Sequence, residues 1–426
     1  MKTFFTADRR YVLAILLAAS TINFLDRQLP AILLPSLRRD LGLSDSQLGF
    51  ITGPAFAIFF CVMGVPLGRL ADRVNRRSLL AICMALWSAM TAASGLATAF
   101  FHLAITRFGV GVGEAGVTPT AHSIVSDIFA PKGRATALAV YQLGVPIGTL
   151  LVFGFGGWID SLIGWRLTFV AMGVPGLLLA VVIRFTICEP SRGHADGLID
   201  VGKPPPFFDV LRTLWRIPTY KLAVLGTGFT GIAYTGTISW SPSFLSRSFG
   251  IAPAHSGAYL APAIGLGGII GTFLGGYLAD RLRDRGVQWA MRIPAAAVAL
   301  VVIPTAFAFA TRSFGWTMAL IAIPVTLCPA HLAPFSAVLQ GLSSLRIRGT
   351  TPAISLLLTV LISSGMGMQL IGLVSDLFKP TYNETSLAHS LNIIIPISAA
   401  LGSLFFYFAS RTLPQDLLRA TVQQSR

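Results

Sequence analysis

Apolar stretches of roughly 20 residues, the length of a membrane-spanning helix, recur along the whole sequence and constrain its fold more than any other feature. With 54% hydrophobic and 12% charged residues, the chain has too little polar surface for a water-soluble fold. We therefore predict an all-α membrane protein. Its twelve transmembrane helices are expected near residues 11–35, 46–68, 78–99, 101–129, 135–160, 166–187, 218–245, 254–279, 289–311, 313–341, 350–378 and 387–410.

A polar stretch divides the predicted helices into two sets of six. Residues 188–217 contain the run Pro204, Pro205 and Pro206 among charged residues and glycines, which is typical of a linker. We predict an N-terminal six-helix bundle over residues 1–187, a cytoplasmic linker over 188–217 and a C-terminal six-helix bundle over 218–426.

One loop occurs twice in the sequence. Gly68-Arg-Leu-Ala-Asp72-Arg73 follows helix 2, and Gly276-Tyr-Leu-Ala-Asp280-Arg281 follows helix 8, an offset of 208 residues. The repeat predicts two pseudo-symmetric bundles in the same orientation, with a central path between them. Glycine permits close helix contact, and aspartate can accept from a helix N-terminus or an arginine. We expect these loops to form an inner gate that comprises Gly68, Asp72, Arg73, Arg76, Arg77, Asp280 and Arg281.

The basic residues indicate the orientation. The net charge is +15, with 32 Lys and Arg, and most of these side chains fall in alternate loops. The positive-inside rule then predicts that both termini are cytoplasmic. Because no basic patch has interleaved aromatic residues, we expect no nucleic-acid partner. Arginine greatly outnumbers lysine, which favours a bacterial source and hence the bacterial inner membrane.

Cofactors are not expected. Cys61, Cys83, Cys188 and Cys328 have no paired spacing, so neither disulfides nor a metal site are predicted. The sequence has no glycine-rich phosphate loop with a lysine, which argues against ATP as the energy source. We expect a monomer in the lipid bilayer.

Four charged residues lie inside predicted membrane spans: Asp26 and Arg27 in helix 1, and Arg107 and Glu114 in helix 4. Each charge costs about 2.5–3.5 kcal/mol in the bilayer centre, so we expect all four to face an aqueous cavity and each other. They form either a static ion network or a coupling centre. In the second case Asp26 and Glu114 exchange protons, while Arg27 and Arg107 act as counter-charges that can bind an anionic substrate.

The second half has no ionisable acid in the predicted helix interiors. Helices 7 and 11 instead offer aromatic, hydroxyl, thioether and amide side chains, which suit an amphipathic or lipid-like substrate, although such residues also serve as packing. The candidate substrate pocket comprises Tyr234, Thr237, Trp240, Met366 and Gln369.

The repeated loop resembles the signature of the major facilitator superfamily, and Arg107-Phe-Gly-Val-Gly-Val-Gly-Glu114 is similar to its second motif. Within the superfamily, the spinster family is resembled by the run from Asn23 to Arg27, by Leu43-Ser-Asp-Ser-Gln-Leu-Gly49 and by Gly164-Trp-Arg166. The resemblance implies a sphingolipid or lysophospholipid transporter whose proton-coupling and binding centre includes Asp26, Arg27 and Glu114.

We therefore expect a secondary active transporter, not an enzyme. It would work by proton-coupled, rocker-switch alternating access and move an amphipathic anion such as a lysolipid or sphingolipid. The alternative is a broad-specificity exporter of drugs or organic anions. A non-transporting receptor and a membrane-embedded lipid enzyme are less favoured, because the sequence has no Ser/His/Asp grouping on one membrane face and no metal-ligand spacing.

Overall fold

A computed structural model of the chain describes residues 8–71, 73–189, 207–343, 347 and 350–424. These residues form helices and short connections, with no β-strand among them. The α-helices are α1 (Arg9–Leu41), α2 (Asp45–Thr52), α3 (Pro54–Ala71), α4 (Arg76–Ser94), α5 (Phe100–Ala115), α6 (Val117–Ile128), α7 (Pro131–Gln142), α8 (Gly144–Leu151), α9 (Gly157–Thr186), α10 (Phe207–Trp215), α11 (Pro218–Phe249), α12 (Pro253–Arg281), α13 (Trp289–Ala308), α14 (Phe314–Leu327), α15 (Leu332–Leu342), α16 (Thr350–Val360), α17 (Gly367–Tyr382) and α18 (Ser386–Gln424).

Apart from α10, these helices correspond to the twelve predicted spans. Eight continuous helical stretches are long and apolar enough to cross a bilayer, and two of them, Thr136–Thr186 and Thr350–Ala420, contain 51 and 71 residues. Each of these two is long enough for two crossings. Within the first, Gly164 has φ 75° and ψ 160°, so the chain turns where the sequence predicts the boundary between helices 5 and 6. Two predicted spans are not among these eight stretches: helix 4, which is formed by α5 and α6, and helix 7, which is formed by α11.

Several spans are interrupted at related positions in the two halves. Helix 4 breaks at Gly116, between α5 and α6, and helix 10 contains a 3₁₀ turn over Cys328–His331. Helices 5 and 11 each contain a π-helical turn, over Val152–Gly156 and Leu361–Met366. These turns begin 209 residues apart, close to the 208-residue offset of the repeated loop. The pseudo-symmetry thus extends to local irregularities.

The chain divides into two compact units, and each unit takes a short segment from the other half of the sequence. The first comprises residues 1–43, 55–200 and 251–261. Inside it, helix 1 packs on α7, α8 and α9, and α4 packs on α5 and α9. Glycines allow close approach in this unit: a Cβ added at Gly148 would collide with the backbone of α1.

The second unit comprises residues 44–54, 201–250 and 262–426. Its α11 packs on α18, and α13 packs on α14 and α18. The short α2 packs against α17 in this unit, and a Cβ added at Gly49 would collide with the backbone oxygen of Met368. The predicted linker contains the helix α10, whereas residues 190–206 of it lie outside the described residues.

Candidate functional site

The four intramembrane charges lie together inside the first unit. The Nε of Arg27 is 3.4 Å from Oε2 of Glu114. This ion pair joins α1 to α5. The Arg27 guanidinium also stacks over two rings of α3, 4.5 Å from the Phe56 centroid and 4.9 Å from that of Phe60. Arg27 therefore has an anionic and an aromatic neighbour at once.

Asp26 and Arg107 complete the cluster. Trp87 in α4 donates from Nε1 to Oδ2 of Asp26 at 3.0 Å, and Arg107 interacts electrostatically with both Asp26 and Glu114. Two carboxylates thus face two guanidinium groups, and the cluster has no net charge when all four are ionised. This neutrality lowers the cost of keeping the groups in a membrane interior.

Exposure differs within the cluster. Asp26, Arg107 and Glu114 are 0%, 3% and 2% exposed, so our expectation that all four line an open aqueous cavity is wrong for these three. They are enclosed because α1, α4 and α5 pack closely around them. The Arg27 side chain is 23% exposed, which makes it the part of the cluster that solvent or a solute reaches.

Several polar atoms of the cluster have unused hydrogen-bonding capacity. Both oxygens of Glu114, and Nε and one Nη of Arg27 and of Arg107, make no hydrogen bond with any described residue. The Arg27–Glu114 contact is therefore an ion pair without hydrogen-bond geometry. Buried polar groups normally have hydrogen-bond partners. The atoms of this cluster that have none can therefore accept a proton or bind an anionic ligand.

Glycines set the position of Glu114. A Cβ at Gly113 would lie 2.8 Å from the Trp87 backbone nitrogen, and one at Gly109 would meet the Met90 side chain. These contacts bring α5 close to α4. They place Glu114 on the side of α5 that faces Asp26 and Arg27, next to the tryptophan that binds Asp26.

A second charged cluster lies in the first unit at the start of α4. Arg76 is 1% exposed and donates from Nε to Glu189 at 2.9 Å, from Nη1 to the Ser123 hydroxyl at 2.9 Å, and through a shorter contact to Asp127. The backbone nitrogen of Arg77 also donates to Glu189, at 2.9 Å. Asp127 and Glu189 were not predicted from the sequence, since nothing in the spacing links them to Arg76.

The other predicted inner-gate residues do not join this cluster. A Cβ at Gly68 would meet no atom of the described residues within 4 Å, so they do not form the expected close helix contact at this position. Arg73 is exposed, and Asp72 lies outside the described residues. In the second copy Asp280 is exposed, and Arg281 donates to the Tyr277 hydroxyl at 3.1 Å. Because these side chains face solvent, the described residues do not assemble them into a gate.

The Arg76 cluster gives a direct stability test. We expect Arg76→Gln to lower the free energy of unfolding by about 2–3 kcal/mol, because it removes charged hydrogen bonds from Asp127 and Glu189. Arg73→Gln, at an exposed position of the same loop, is the matched control and should stay within about 0.5 kcal/mol. Thermal unfolding of the purified proteins in detergent measures both. Equal melting temperatures for the two variants would contradict a structural role for Arg76.

The candidate pocket residues of the second half separate into two groups. Trp240 and Thr237 are fully buried, and the Thr237 hydroxyl donates to the Ala233 carbonyl at 2.7 Å. Tyr234 and Gln369 are half-buried, and Met366 is 51% exposed. The indole Nε1 of Trp240 and Oε1 of Gln369 have no hydrogen-bond partner among the described residues. Thr237 is thus committed to its own helix, whereas Trp240 and Gln369 retain polar capacity.

A third network in the second unit includes residues that sequence analysis did not single out as a site. Arg247 at the end of α11 contacts both carboxylate oxygens of Asp45, one of them at 2.7 Å. The Ser375 hydroxyl donates to Asp45 at 2.6 Å. Asp376 accepts from the backbone nitrogens of Asp45 and Ser46, at 3.0 and 2.8 Å. We call Asp45, Arg247, Ser375 and Asp376 the Asp45 network.

The Asp45 network is well satisfied and enclosed. Asp45 and Arg247 have side-chain exposures of 3% and 7%, and bidentate contact is the strongest arginine–carboxylate geometry. Ser44 and Gln47 form a capping box at the start of α2, and the Asp376 carboxylate lies at the positive end of that helix. The capping box can be recognised in the sequence. Arg247 and Asp376, the residues that bind Asp45, lie some 200 and 330 positions further along the chain.

The comparisons with known proteins agree with this architecture. The model of the Major Facilitator Superfamily matches residues 16–351. An "MFS-type efflux pump" of Mycolicibacterium smegmatis is 30% identical over 95% of this chain and 93% of its own. "Protein spinster homolog 1" of Homo sapiens is 29% identical over 92% of this chain and 78% of its own.

A solved structure matches over nearly the whole length. It is that of a bacterial homolog of the human lysosomal transporter spinster, in an inward-facing and unoccupied conformation, with a TM-score of 0.85, 30% identity, and coverage of 98% of this chain and 99% of that one. The twelve-helix, two-bundle fold predicted from the sequence is confirmed. The chain is a membrane transport protein that belongs to the major facilitator superfamily and to its spinster-like group.

Proposed function

We propose that the protein is a proton-coupled secondary transporter that moves an amphipathic anion by alternating access. The observation that carries this proposal is the ion pair between Arg27 and Glu114 at 3.4 Å, in which only the arginine is partly exposed. We further propose the bacterial inner membrane as the location, cytoplasmic termini and a monomeric state, in keeping with the distribution of basic residues.

Coupling follows from competition for Arg27. While Glu114 is ionised it holds the Arg27 guanidinium, and the four-charge cluster is neutral. A proton on Glu114 removes that partner, and Arg27 then favours an anion from the exposed side. Protonation of Glu114 and binding of the substrate therefore both act on Arg27. Coupling through a shift between two states requires such a shared group. Asp26 is the second proton acceptor in this proposal, and Arg107 is the second counter-charge.

The surroundings of Arg27 support an amphipathic substrate. A guanidinium that lies over the rings of Phe56 and Phe60 offers charge and apolar surface within one side-chain length. In the second unit, Trp240 Nε1 and Gln369 Oε1 have no hydrogen-bond partner among the described residues, and the Met366 side chain is exposed. An anionic headgroup on an apolar body, as in a lysolipid or sphingolipid, meets both requirements.

Alternating access gives the Asp45 network a role. Residues 44–54 belong to the first half of the sequence but pack in the second unit, where Arg247 and Asp376 hold Asp45. Because Asp45 belongs to the first half of the sequence and Arg247 and Asp376 to the second, a movement of one half against the other would break this network. We therefore propose the Asp45 network as a latch on the predicted non-cytoplasmic side of the membrane.

A broad-specificity exporter is the second candidate. It is favoured by the similarity to the Mycolicibacterium smegmatis efflux pump, and by the exposed aromatic and methionine side chains that suit varied apolar solutes. Competition between an anionic lysolipid and a cationic dye in the same vesicles separates the two candidates, since Arg27 should reject the dye.

Flux in proteoliposomes tests the coupling. We expect purified wild-type protein to transport a fluorescent anionic lysolipid at a rate that changes when a pH gradient is imposed. In Glu114→Gln and Asp26→Asn, the ratio of rates with and without the gradient should fall toward unity, because a proton site is lost. Asp284→Asn, an exposed acid outside the cluster, is the matched control and should keep the wild-type ratio.

Two results would contradict the proposal. A wild-type ratio in both Glu114→Gln and Asp26→Asn would exclude proton coupling through these carboxylates. Binding of the lysolipid without any flux, in wild-type protein that is correctly folded, would point to a receptor.

A further inference from the structure

The amphipathic helix α10 borders a groove in the second unit that the transport proposal does not use. The groove has a volume of about 460 Å³ and is lined by Phe208, Leu211, Arg212, Trp215, Arg216 and Leu358. Five of these residues belong to α10 or directly follow it, and Leu358 belongs to α16. All of them lie in the second unit.

The residue order of α10 fits a position at a membrane surface. Val210 and Leu214 are buried and share one face of the helix, which packs on α11 and α16. Phe208 and Trp215 are 77% and 40% exposed and occupy the adjoining face. A helix that turns aromatic side chains outward beside its buried stripe is typical of the interface between headgroups and acyl chains.

Two arginines lie beside the aromatic side chains of α10. Arg212 and Arg216 are four positions apart and exposed, so they are neighbours on the helix surface. Neither makes a salt bridge or side-chain hydrogen bond with a described residue, although the exposed Asp209 lies one turn before Arg212 on the same helix. The groove presents both arginines together with apolar side chains.

We propose that this groove binds an anionic phospholipid. The phosphate would pair with Arg212 and Arg216, which suit the planar recognition of phosphate oxygens, and an acyl chain would lie along Phe208, Trp215 and Leu358. Charge complementarity selects this occupant: a zwitterionic lipid offers the same chains but no net charge. The site is separate from the Arg27 cluster, which lies in the other unit, and does not depend on the proposed transport function.

Native mass spectrometry of the full-length protein in detergent tests the site. The probes are phosphatidylglycerol and phosphatidylcholine with identical acyl chains. We expect Arg212→Gln with Arg216→Gln to weaken phosphatidylglycerol binding by about 30-fold, from the attraction of two basic residues to an anionic lipid surface. Phosphatidylcholine binding should stay unchanged.

Arg9→Gln with Arg10→Gln removes the same charge from exposed positions on the same predicted side of the membrane, and should leave phosphatidylglycerol binding within about twofold of wild type. An equal loss in this control would overturn the site, because it would reduce the effect to net charge. Equal affinity of the wild type for the two lipids would also overturn it.

Two further measurements identify the ligand as a lipid. A blue shift of tryptophan emission on adding phosphatidylglycerol, lost in Trp215→Phe, is expected if the acyl chain covers Trp215. Soluble glycerol phosphate that displaces phosphatidylglycerol at comparable concentration would contradict the proposal, since it would show that the apolar groove contributes nothing.

Discussion

Arg27→Gln is expected to destabilise the protein at neutral pH by about 3–5 kcal/mol, the cost of leaving one member of a buried ion pair without its partner. The cluster of Asp26, Arg27, Arg107 and Glu114 is neutral, and the substitution leaves one negative charge in excess. Glu114→Gln leaves one positive charge in excess and should cost a similar amount. The double variant is neutral again and should recover most of the stability.

The two single variants should respond to pH in opposite ways. Uptake of one proton by a carboxylate restores neutrality in Arg27→Gln, so its deficit relative to wild type should shrink as pH falls. Arginines keep their protons throughout the accessible range, so acid gives Glu114→Gln no such relief. Thermal unfolding of each variant between neutral and mildly acidic pH, beside Arg10→Gln as an exposed control, measures the difference. Parallel pH profiles for the two variants would contradict the cluster's neutrality.

The Asp45 network gives the second large effect. Arg247→Gln leaves the buried Asp45 carboxylate without its arginine partner, at a cost of about 3 kcal/mol to any state in which the network is formed. Such a loss changes the ratio of two conformations by more than about 100-fold. We expect the variant to populate a state that is open on the predicted non-cytoplasmic side. Wild-type protein is expected to keep the network intact in the absence of substrate.

Distances between spin labels report this opening. Leu96 is 78% exposed, and Gly315 has open space around its Cβ position. Both lie on the predicted non-cytoplasmic side of the membrane. In a background with the four native cysteines replaced, labels at these positions should move apart in Arg247→Gln. Arg312→Gln, an exposed arginine on the same predicted side, is the control. Identical distance distributions for wild type and Arg247→Gln would refute the latch.

The fold was accessible from the sequence because its strongest determinants are local. The length of each apolar run fixes a membrane crossing, and the repeated loop after helices 2 and 8 fixes the relation of the halves. Gly164 was placed between two spans because the apolar runs stop there, and its positive φ gives the physical reason. The division at residues 188–217 stays a prediction, since most of that stretch is outside the described residues.

The sites were only partly accessible. Charges inside apolar runs identify Asp26, Arg27, Arg107 and Glu114, because each needs a partner in the membrane. Their burial was not predicted: it depends on how tightly α4 and α5 pack, which follows from the three-dimensional fit of Gly113 to Trp87. Long-range partners such as Arg247 for Asp45 and Glu189 for Arg76 have no signal in a single sequence, because both members also fit ordinary loop positions.

The π-helical turns in helices 5 and 11 have a mechanical consequence. Each turn holds one residue more than the α-helix around it, so absorbing or releasing that residue rotates the remainder of the helix by about 100° and shifts it by roughly 1.5 Å along its axis. Because Val152–Gly156 and Leu361–Met366 occupy equivalent places in the repeat, both helices can switch their facing side chains through a register slip, without bending and without unfolding a turn.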